Sequence, residues 1–321
     1  MGVVPDRPSL IPASRQHRAE SKTLRRQPGA RTPAQRASLP PDGHNGCVFD
    51  LHVHSAPCVF PRIADDVQTA EWYERAGFDG CVLKGHYEST VGRALAASSG
   101  RRVRVYGGVV LNHPAGGLNP CAVDAALSLG ARVVWMPTLD AQGHHDAGLA
   151  RPRGTADNAA IAIPPRDPRN EGAVRRILAS VAEARAVLAT GHLSGSEVGW
   201  LVRTATREFG IRRVVVTHPT FTVPGLSIRA LRELAELGAH IEITAFQLLH
   251  QPGCDAARLA AAIRSAGVSK VVLTSDAGQP DSPPAPDALL QLVDALKGQR
   301  LDGKALEVMA SDIPAALVSP D

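Results

Sequence analysis

The sequence contains no long apolar run and few aromatic side chains. No stretch approaches the roughly 18 uncharged apolar residues that a membrane-spanning helix needs, so we expect no membrane partner. Aromatic residues make up 4% of the chain, and the core therefore has to consist mainly of alanine, valine, leucine and isoleucine. The hydrophobic fraction of 44% is still enough for a sizeable core in 321 residues.

Cysteine is also scarce, and its spacing argues against two common scaffolds. The five cysteines are an odd number and form no C-x-x-C pair. A disulfide framework and a structural zinc ribbon are therefore not expected. This use of cysteine favours a reducing, cytoplasmic location.

Several motifs of familiar enzyme chemistry are missing. No glycine-rich turn of the dinucleotide-binding type follows the first apolar run, and no phosphate-binding P-loop occurs. The segment Gly191-His192-Leu193-Ser194-Gly195 lacks the G-x-S-x-G register of a serine hydrolase. These absences argue against nucleotide binding and against a serine nucleophile.

Positive charge is concentrated in the first 46 residues. This segment holds eight basic residues, three acidic residues and seven prolines, so we expect a disordered tail at 1–46. The rest of the chain carries 27 basic and 28 acidic residues, without the basic excess of a nucleic-acid-binding domain. Loose binding of nucleic acid by the tail is an alternative, and a dispensable extension is the simpler interpretation.

From Cys47 onward, eight short apolar runs alternate with longer segments of helical periodicity. The runs are rich in β-branched residues, as expected for strands of a parallel sheet that is buried on both faces. They are 48–52, 80–84, 103–111, 132–136, 186–190, 213–217, 240–244 and 270–274. Eight strand–helix units in about 250 residues predict one α/β domain at 47–321, a (β/α)8 TIM-like barrel. A doubly wound open sheet is the alternative, although it usually has fewer strands.

Histidines are concentrated at the predicted C-terminal ends of the strands, where barrel enzymes place their active sites. Chance would put about 1.5 of the 12 histidines there, whereas six are found. The six are His52, His54, His86, His113, His192 and His218. Since strand side chains alternate with a period of two, His52 and His54 should both face the barrel axis and could bind one metal ion.

Polar residues also end three later strands. His192 follows the fifth apolar run, His218 the sixth and Asp276 the eighth. Each one alone has an ordinary structural explanation, but together with the H-x-H pair they converge on one mouth of the barrel. This mixture of nitrogen and oxygen ligands favours a divalent metal, with zinc as the candidate, bound as one or two ions.

In this pattern the sequence resembles the amidohydrolase superfamily, especially its phosphotriesterase-like branches. The resemblance spans residues 47 to about 280, and the segments around His52, Lys84 and 116–120 are similar to a bacterial branch of unassigned function. It implies that the H-x-H pair holds one ion and that His192 and His218 hold a second. It also implies that Asp276 binds metal and acts as a general base on a metal-activated water.

The bridging lysine of the family is the point at which the sequence departs from the pattern. In the family this lysine usually ends strand four, which here ends Trp135-Met136-Pro137-Thr138. Lys84 ends strand two instead, and our hypothesis is that it is carbamylated and bridges two metal ions. The alternatives are a mononuclear site with His86 as an added ligand, and Lys84 as a cation that grips the substrate.

Further polar residues near the mouth are candidates for substrate binding. The candidates are Arg62, His86, Asn112 and His113. Arg62 could bind an anionic group of the substrate. Residues 138–170 form an unusually long loop that could cover the mouth as a lid. We assign no role to the adjacent pair His144 and His145 in this loop, because their spacing is not typical of metal ligands.

The predicted function is that of a metal-dependent hydrolase acting on an amide, cyclic imide, lactone or ester of a small molecule. One alternative is a mononuclear, non-hydrolytic member of the superfamily, such as a decarboxylase. Others are a phosphoesterase like the polymerase-and-histidinol-phosphatase family and a metal-stabilised binding protein without turnover. The outer helix faces show no decisive apolar patch, so the sequence allows both a monomer and a homo-oligomer.

Overall fold

The computed structural model describes residues 48–152 and 159–319. Within these ranges, eight strands occupy the eight predicted apolar runs. They are β1 Phe49–Val53, β2 Gly80–Leu83, β3 Arg104–Val110, β4 Val133–Trp135, β5 Val187–Ala189, β6 Val214–Val216, β7 His240–Thr244 and β8 Val271–Thr274. The predicted disordered tail at 1–46 lies outside the described residues, as does part of the long loop.

The strands form one parallel sheet in the order β1 to β8. The sheet closes on itself between its first and last strands. At this closure Asp276 N donates to His52 O at 2.8 Å. One step further along, His54 N donates to Ala277 O at 2.9 Å. The predicted (β/α)8 barrel is confirmed, and the open doubly wound alternative is wrong.

Helices follow the strands and cover the outside of the barrel. In the described ranges they are α1 Asp66–Arg75, α2 Val91–Ser98, α3 Pro120–Ser128, α4 Gln142–Asp146, α5 Glu171–Glu183, α6 Gly195–Arg207, α7 Ile228–Glu236, α8 Ala245–His250, α9 Ala256–Ala266, α10 Ala285–Lys297, α11 Gly303–Ala310 and α12 Asp312–Val318. Side chains cap several of their starts, including a capping box of Ser194 and Glu197 before α6. Across those ranges, no helix combines the length and apolar character needed to traverse a bilayer.

Two apolar layers form the core. The inner layer fills the barrel with valines, one tryptophan and a few other side chains, among them Val82, Val110, Trp135, Val187 and Val272. Leu317 and Val318 of α12 join this layer and close the end of the barrel opposite the site. The outer layer packs between the strands and the surrounding helices. Branched aliphatic side chains therefore fill most of the core, in place of the scarce aromatic residues.

A β-bulge in β1 contains His52, the first of the H-x-H histidines. Between its pairings at Asp50 and Val53, β1 has two residues where β2 has one. Asp50 turns toward the helices, where the Tyr73 hydroxyl donates to its Oδ2 at 2.5 Å. His52, two residues on, turns into the barrel instead. The bulge thus breaks the strict alternation and directs His52 at the site.

The segment between β4 and α5 is packed against the barrel over its described parts. Ile161 N donates to Asp140 O at 2.7 Å. Ile163 is fully buried, and its N–H donates to Glu197 Oε1 at the start of α6, at 2.8 Å. The predicted long loop therefore contains α4 and a structured return, while residues 153–158 lie outside the described residues. Its proposed movement as a lid stays a prediction.

Candidate metal centre

Three of the predicted ligands meet where the barrel closes. His52 Nε2 lies 3.0 Å from Asp276 Oδ1, and His54 Nε2 lies 3.2 Å from the same oxygen. All three side chains are buried, and their ligand atoms lie within 4.8 Å of one another. The fold therefore brings the H-x-H pair of β1 and the carboxylate after β8 together in a group that could hold a metal ion.

The other ring nitrogen of each histidine is already engaged. His52 Nδ1 lies 3.0 Å from Glu242 Oε1, and His54 Nδ1 lies 2.9 Å from the carbonyl oxygen of Lys84. Because a carboxylate and a carbonyl only accept hydrogen bonds, Nδ1 carries the proton in each neutral ring. Both Nε2 lone pairs are then left facing Asp276. Partners of this kind orient the imidazoles of metal sites.

Glu242 on β7 is a residue of the candidate site that the sequence analysis missed. Its carboxylate is buried, and Oε1 also accepts from Thr274 Oγ1 at 3.1 Å. Its Oε2 accepts from the backbone N–H of His218 at 2.9 Å. One carboxylate thereby holds both the His52 ring and the turn that carries His218. The available signal was an acidic residue between two isoleucines of a buried strand, where a charge is buried only with partners.

Lys84 reaches the same cluster from β2. Its Nζ lies 2.9 Å from His52 Nε2 and 5.6 Å from the centroid of the Trp135 ring. Burial lowers the pKa of Lys84, which favours the neutral amine. Trp135 ends β4, where the resemblance would place the bridging lysine. At this point of the barrel, β4 contributes the indole ring of Trp135, and the amine of Lys84 comes from the end of β2.

His192 and His218 lie beside the cluster, at the ends of β5 and β6. Their ring centroids are 5.1 Å apart, and the His218 ring is 6.2 Å from the His52 ring. His218 Nδ1 is buried and has no hydrogen-bond partner within the described residues. Such an unpaired polar atom costs about 1–3 kcal/mol, and a metal ion would satisfy it. The five residues that match the family pattern therefore share one pocket.

The surrounding charges give the imidazoles different protonation states. Burial lowers the pKa of His52, but the carboxylates of Asp276 and Glu242 outweigh burial and raise it to about 9. Burial lowers the pKa of His218 to about 4 and holds the pKa of His192 well below its ordinary value. At neutral pH, His192 and His218 are neutral and ready to bind a metal, whereas His52 has to release a proton first.

His144 of α4 contacts His192, where the sequence indicated no role for it. The two Nδ1 atoms are 2.8 Å apart, and the rings stack with centroids 5.0 Å apart. His144 Nε2 lies 3.1 Å from the carbonyl oxygen of Ala150 and carries the proton in the neutral ring. His144 Nδ1 then accepts the proton of His192 Nδ1, which leaves the His192 Nε2 lone pair free.

Two of the predicted ligands have backbone conformations that residues other than glycine rarely adopt. The φ angle is 25° at His218 and 49° at Asp276. Left-handed angles of this kind cost about 1–3 kcal/mol and persist where surrounding contacts impose them. Gly278, with a φ of 124°, lies so close to β1 that a Cβ would overlap the His54 carbonyl oxygen. The loop after β8 is therefore held tightly against the H-x-H strand.

Two of the predicted substrate-binding residues border the cluster. The His86 ring stacks on the His54 ring, with centroids 4.8 Å apart. The Phe60 ring lies between His86 and Arg62: its centroid is 5.7 Å from that of His86 and 5.8 Å from Arg62 Cζ. Burial lowers the pKa of His54, and the charge of Arg62 lowers it further. Both residues are placed where a substrate could touch them.

The other two candidates are bound to protein groups in the loops after β3 and β4. The Asn112 side-chain oxygen accepts from Thr138 N at 2.9 Å, and its Nδ2 donates to His86 O at 2.8 Å. His113 is exposed, and its Nε2 lies 2.6 Å from Ala159 O. These contacts organise the loops. A direct contact of Asn112 or His113 with a substrate stays a prediction.

The donor set fits a divalent cation. It combines imidazole nitrogens with a carboxylate oxygen, the ligand types that zinc and similar ions favour. The Nε2 atoms of His52 and His54 converge on one oxygen of Asp276, as ligand atoms around a shared ion would. Among the described residues His218 Nδ1 has no partner, so it is a further nitrogen that such an ion could bind.

Comparison with known proteins identifies a sequence family and several similar folds. Residues 47–242 match the model described as "Family of unknown function (DUF6282)", and no curated protein sequence matches the chain. An amidohydrolase from Pseudomonas aeruginosa has a similar structure, with a TM-score of 0.56 and 10% identity over 85% of this chain and 96% of that chain.

Two further similar structures are also named as hydrolytic enzymes. One is a lactonase from Listeria monocytogenes, with a TM-score of 0.57 and 12% identity over 85% of this chain and 94% of that chain. The other is an organophosphorus hydrolase from Deinococcus radiodurans, with a TM-score of 0.56 and 13% identity over 85% and 92% of the two chains. The resemblance to the amidohydrolase superfamily is thereby confirmed at the level of the fold.

Proposed function

The chain belongs to the family of unknown function DUF6282, and we propose that it is a metal-dependent hydrolase of a small molecule. The observation that carries the proposal is the convergence of His52 Nε2 and His54 Nε2 on Asp276 Oδ1, with both Nδ1 atoms held by acceptors. The names of the similar structures support hydrolysis as the reaction class. We propose an amide, cyclic imide, lactone or ester as the bond that is cleaved.

The ligands divide into two groups. His52, His54 and Asp276 would hold one ion, and His192 and His218 would hold a second. A divalent cation, for which zinc is our candidate, supplies Lewis acidity when bound and lets water ionise near neutral pH.

Lys84 is proposed to join the two groups as a carbamate. Burial favours its neutral amine, whose nitrogen can add carbon dioxide with release of a proton. Continuous density beyond Lys84 Nζ in a metal-loaded crystal would establish the carbamate. An unmodified ammonium at this position would exclude it.

Asp276 is the residue that we assign to proton transfer. Burial raises the pKa of its carboxyl, but the neighbouring His52 and His54 hold it well below the ordinary value. The ionised carboxylate can accept a proton from water and then deliver it to the leaving group. His86 and Arg62, at the border of the cluster, are placed to orient the substrate.

Elemental analysis of the purified full-length protein tests the proposal. When the protein is produced in medium supplemented with metal and bicarbonate, we expect about two ions per chain. The His52→Ala/His54→Ala variant should lose at least the ion held by these residues. A count of about one ion in the wild type would favour the mononuclear, non-hydrolytic alternative, such as a decarboxylase. No metal, under conditions that load other metalloenzymes, would refute the proposal.

A further inference from the structure

The pocket has a positively charged border, formed by Arg62 in the loop between β1 and α1. The N–H of the next residue, Ile63, donates to Gly278 O at 3.0 Å, so this loop lies against the loop that carries Asp276. The Arg62 side chain is half-buried, and its guanidinium packs over the Phe60 ring. Arg62 is therefore fixed near the metal ligands without being one of them.

The charge of Arg62 has no partner among the residues that the structure describes. In the ranges that the structure describes, its side chain forms no hydrogen bond or ion pair, and its Nε is buried without an acceptor. The partly buried Arg93 is different, because it binds Asp66 and Glu88. Leaving a buried donor of a charged group unpaired is costly, and an anion from solution would satisfy it.

The acidic residues of the centre do not neutralise the charge of Arg62 by direct pairing. The buried carboxylates of Asp276 and Glu242 are engaged by histidines of the centre, and within the described residues neither forms an ion pair with Arg62. A bound divalent cation would add to this charge. The pocket is therefore electrostatically suited to an anionic ligand.

Phenylalanine rings line the mouth, although the chain has only six of them. Phe60, Phe221 and Phe246 are half-buried and follow β1, β6 and β7. The Phe60 ring lies 5.7 Å from His86, and the Phe221 ring lies 5.3 Å from His218 and 5.8 Å from Phe246. Since the ends of β2 and β6 are opposite each other in an eight-stranded barrel, these rings border the pocket on two sides.

We propose that the substrate carries a carboxylate on an apolar ring or chain, and that Arg62 binds this carboxylate. The planar guanidinium can donate two parallel N–H···O bonds to the two oxygens. The apolar part would lie between Phe60 on one side and Phe221 with Phe246 on the other. This inference rests on the proposed hydrolase function and narrows its substrate class to anionic, partly apolar molecules.

Calorimetric titration of the full-length, metal-loaded protein with benzoate and with neutral benzamide tests the inference. We expect the wild type to bind benzoate at least about tenfold more tightly than benzamide. Arg62→Met should abolish this preference, and Arg62→Lys, which keeps the charge without the planar fork, should retain part of it. The control Arg75→Met removes an equal charge from the exposed surface of α1 and should leave both affinities unchanged.

Two results would overturn the carboxylate site: no preference for benzoate in the wild type, or a preference that survives in Arg62→Met. A preference that survives in Arg62→Met would indicate that the carboxylate binds beside the metal ligands and not at Arg62. Phe221→Ala should weaken the binding of both probes, and unchanged affinity for both would refute the apolar half of the proposal.

The metal content of the same preparations separates this inference from the proposed function. Arg62-dependent binding of benzoate by protein that takes up no metal would support the anion site and refute the metal-dependent hydrolase. Metal-loaded protein without the preference would leave the hydrolase standing and refute the anion site.

Discussion

A buried carboxylate decides which nitrogen of His52 is free. Glu242 accepts from Nδ1 of that ring and also from the backbone of His218. Its charge is one cause of the raised pKa of His52, so it makes the ring more basic as well as orienting it. At the scale of single residues, Glu242 therefore positions two predicted ligands, His52 and His218, through a hydrogen bond to each.

The substitution Glu242→Gln should lower metal affinity by about 10–100-fold, because it removes the charge and leaves an amide that can present a donor to His52. Competition with a chromogenic chelator would measure the affinity of both proteins. Glu236→Gln, on the exposed surface of α7, makes the same change of charge and should have no effect. Unchanged affinity in Glu242→Gln, with an unfolding midpoint equal to that of the wild type, would contradict this role.

Local pattern predicted some of the ligands and could not predict others. His52 and His54 were predictable because a strand has a period of two, and Asp276 because it directly follows an apolar run. Glu242 was missed because its partner His52 is 190 positions away, and no local period encodes that pairing. The grouping itself, with all ligands in one pocket, followed from the barrel topology.

At the scale of elements, the segment after β4 acts on the site through α4. This helix has five residues and no side-chain cap, so it has little stability of its own. It is held in place by packing, and it presents His144 to His192. The sequence did not indicate this helix, because so short a segment shows no clear period. The bulge in β1 was equally hidden, since nothing in the sequence Phe49–Val53 marks the one extra residue.

The substitution His144→Ala should lower the affinity for an ion held by His192 by about 10–100-fold, because it removes the acceptor that keeps the His192 Nε2 lone pair free. Counting the ions retained per chain after dialysis against a weak chelator would measure the effect. The neighbouring variant His145→Ala is the matched control and should retain metal like the wild type. Equal retention by both variants would show that α4 does not position His192.

At the scale of the whole molecule, the predicted ligands come from β1, β2, β5, β6 and β8, so a bound ion would connect strands around the barrel. An ion present at a hundred times its Kd stabilises the folded state by about 2.7 kcal/mol. For a domain of this size we therefore expect removal of metal by EDTA to lower Tm by about 5–10 °C.

Thermal unfolding with and without EDTA would measure this shift in Tm. The His52→Ala/His54→Ala variant should respond to EDTA much less than the wild type, since it lacks part of the ligand set. An equal Tm for loaded and stripped wild-type protein would show that the ions do not favour the folded state.

The closure between β1 and β8 can form only late in synthesis, because these strands are far apart in the chain. The hydrogen bonds that join the two strands link positions as far as 225 residues apart in the chain. During synthesis β1 emerges early and has no partner on one edge until β8 has been made. A nascent or truncated copy can build most of its strand–helix units, but it lacks Asp276. The candidate metal centre therefore forms only after β8 and Asp276 have been made, so the chain acquires its full set of predicted ligands late in synthesis.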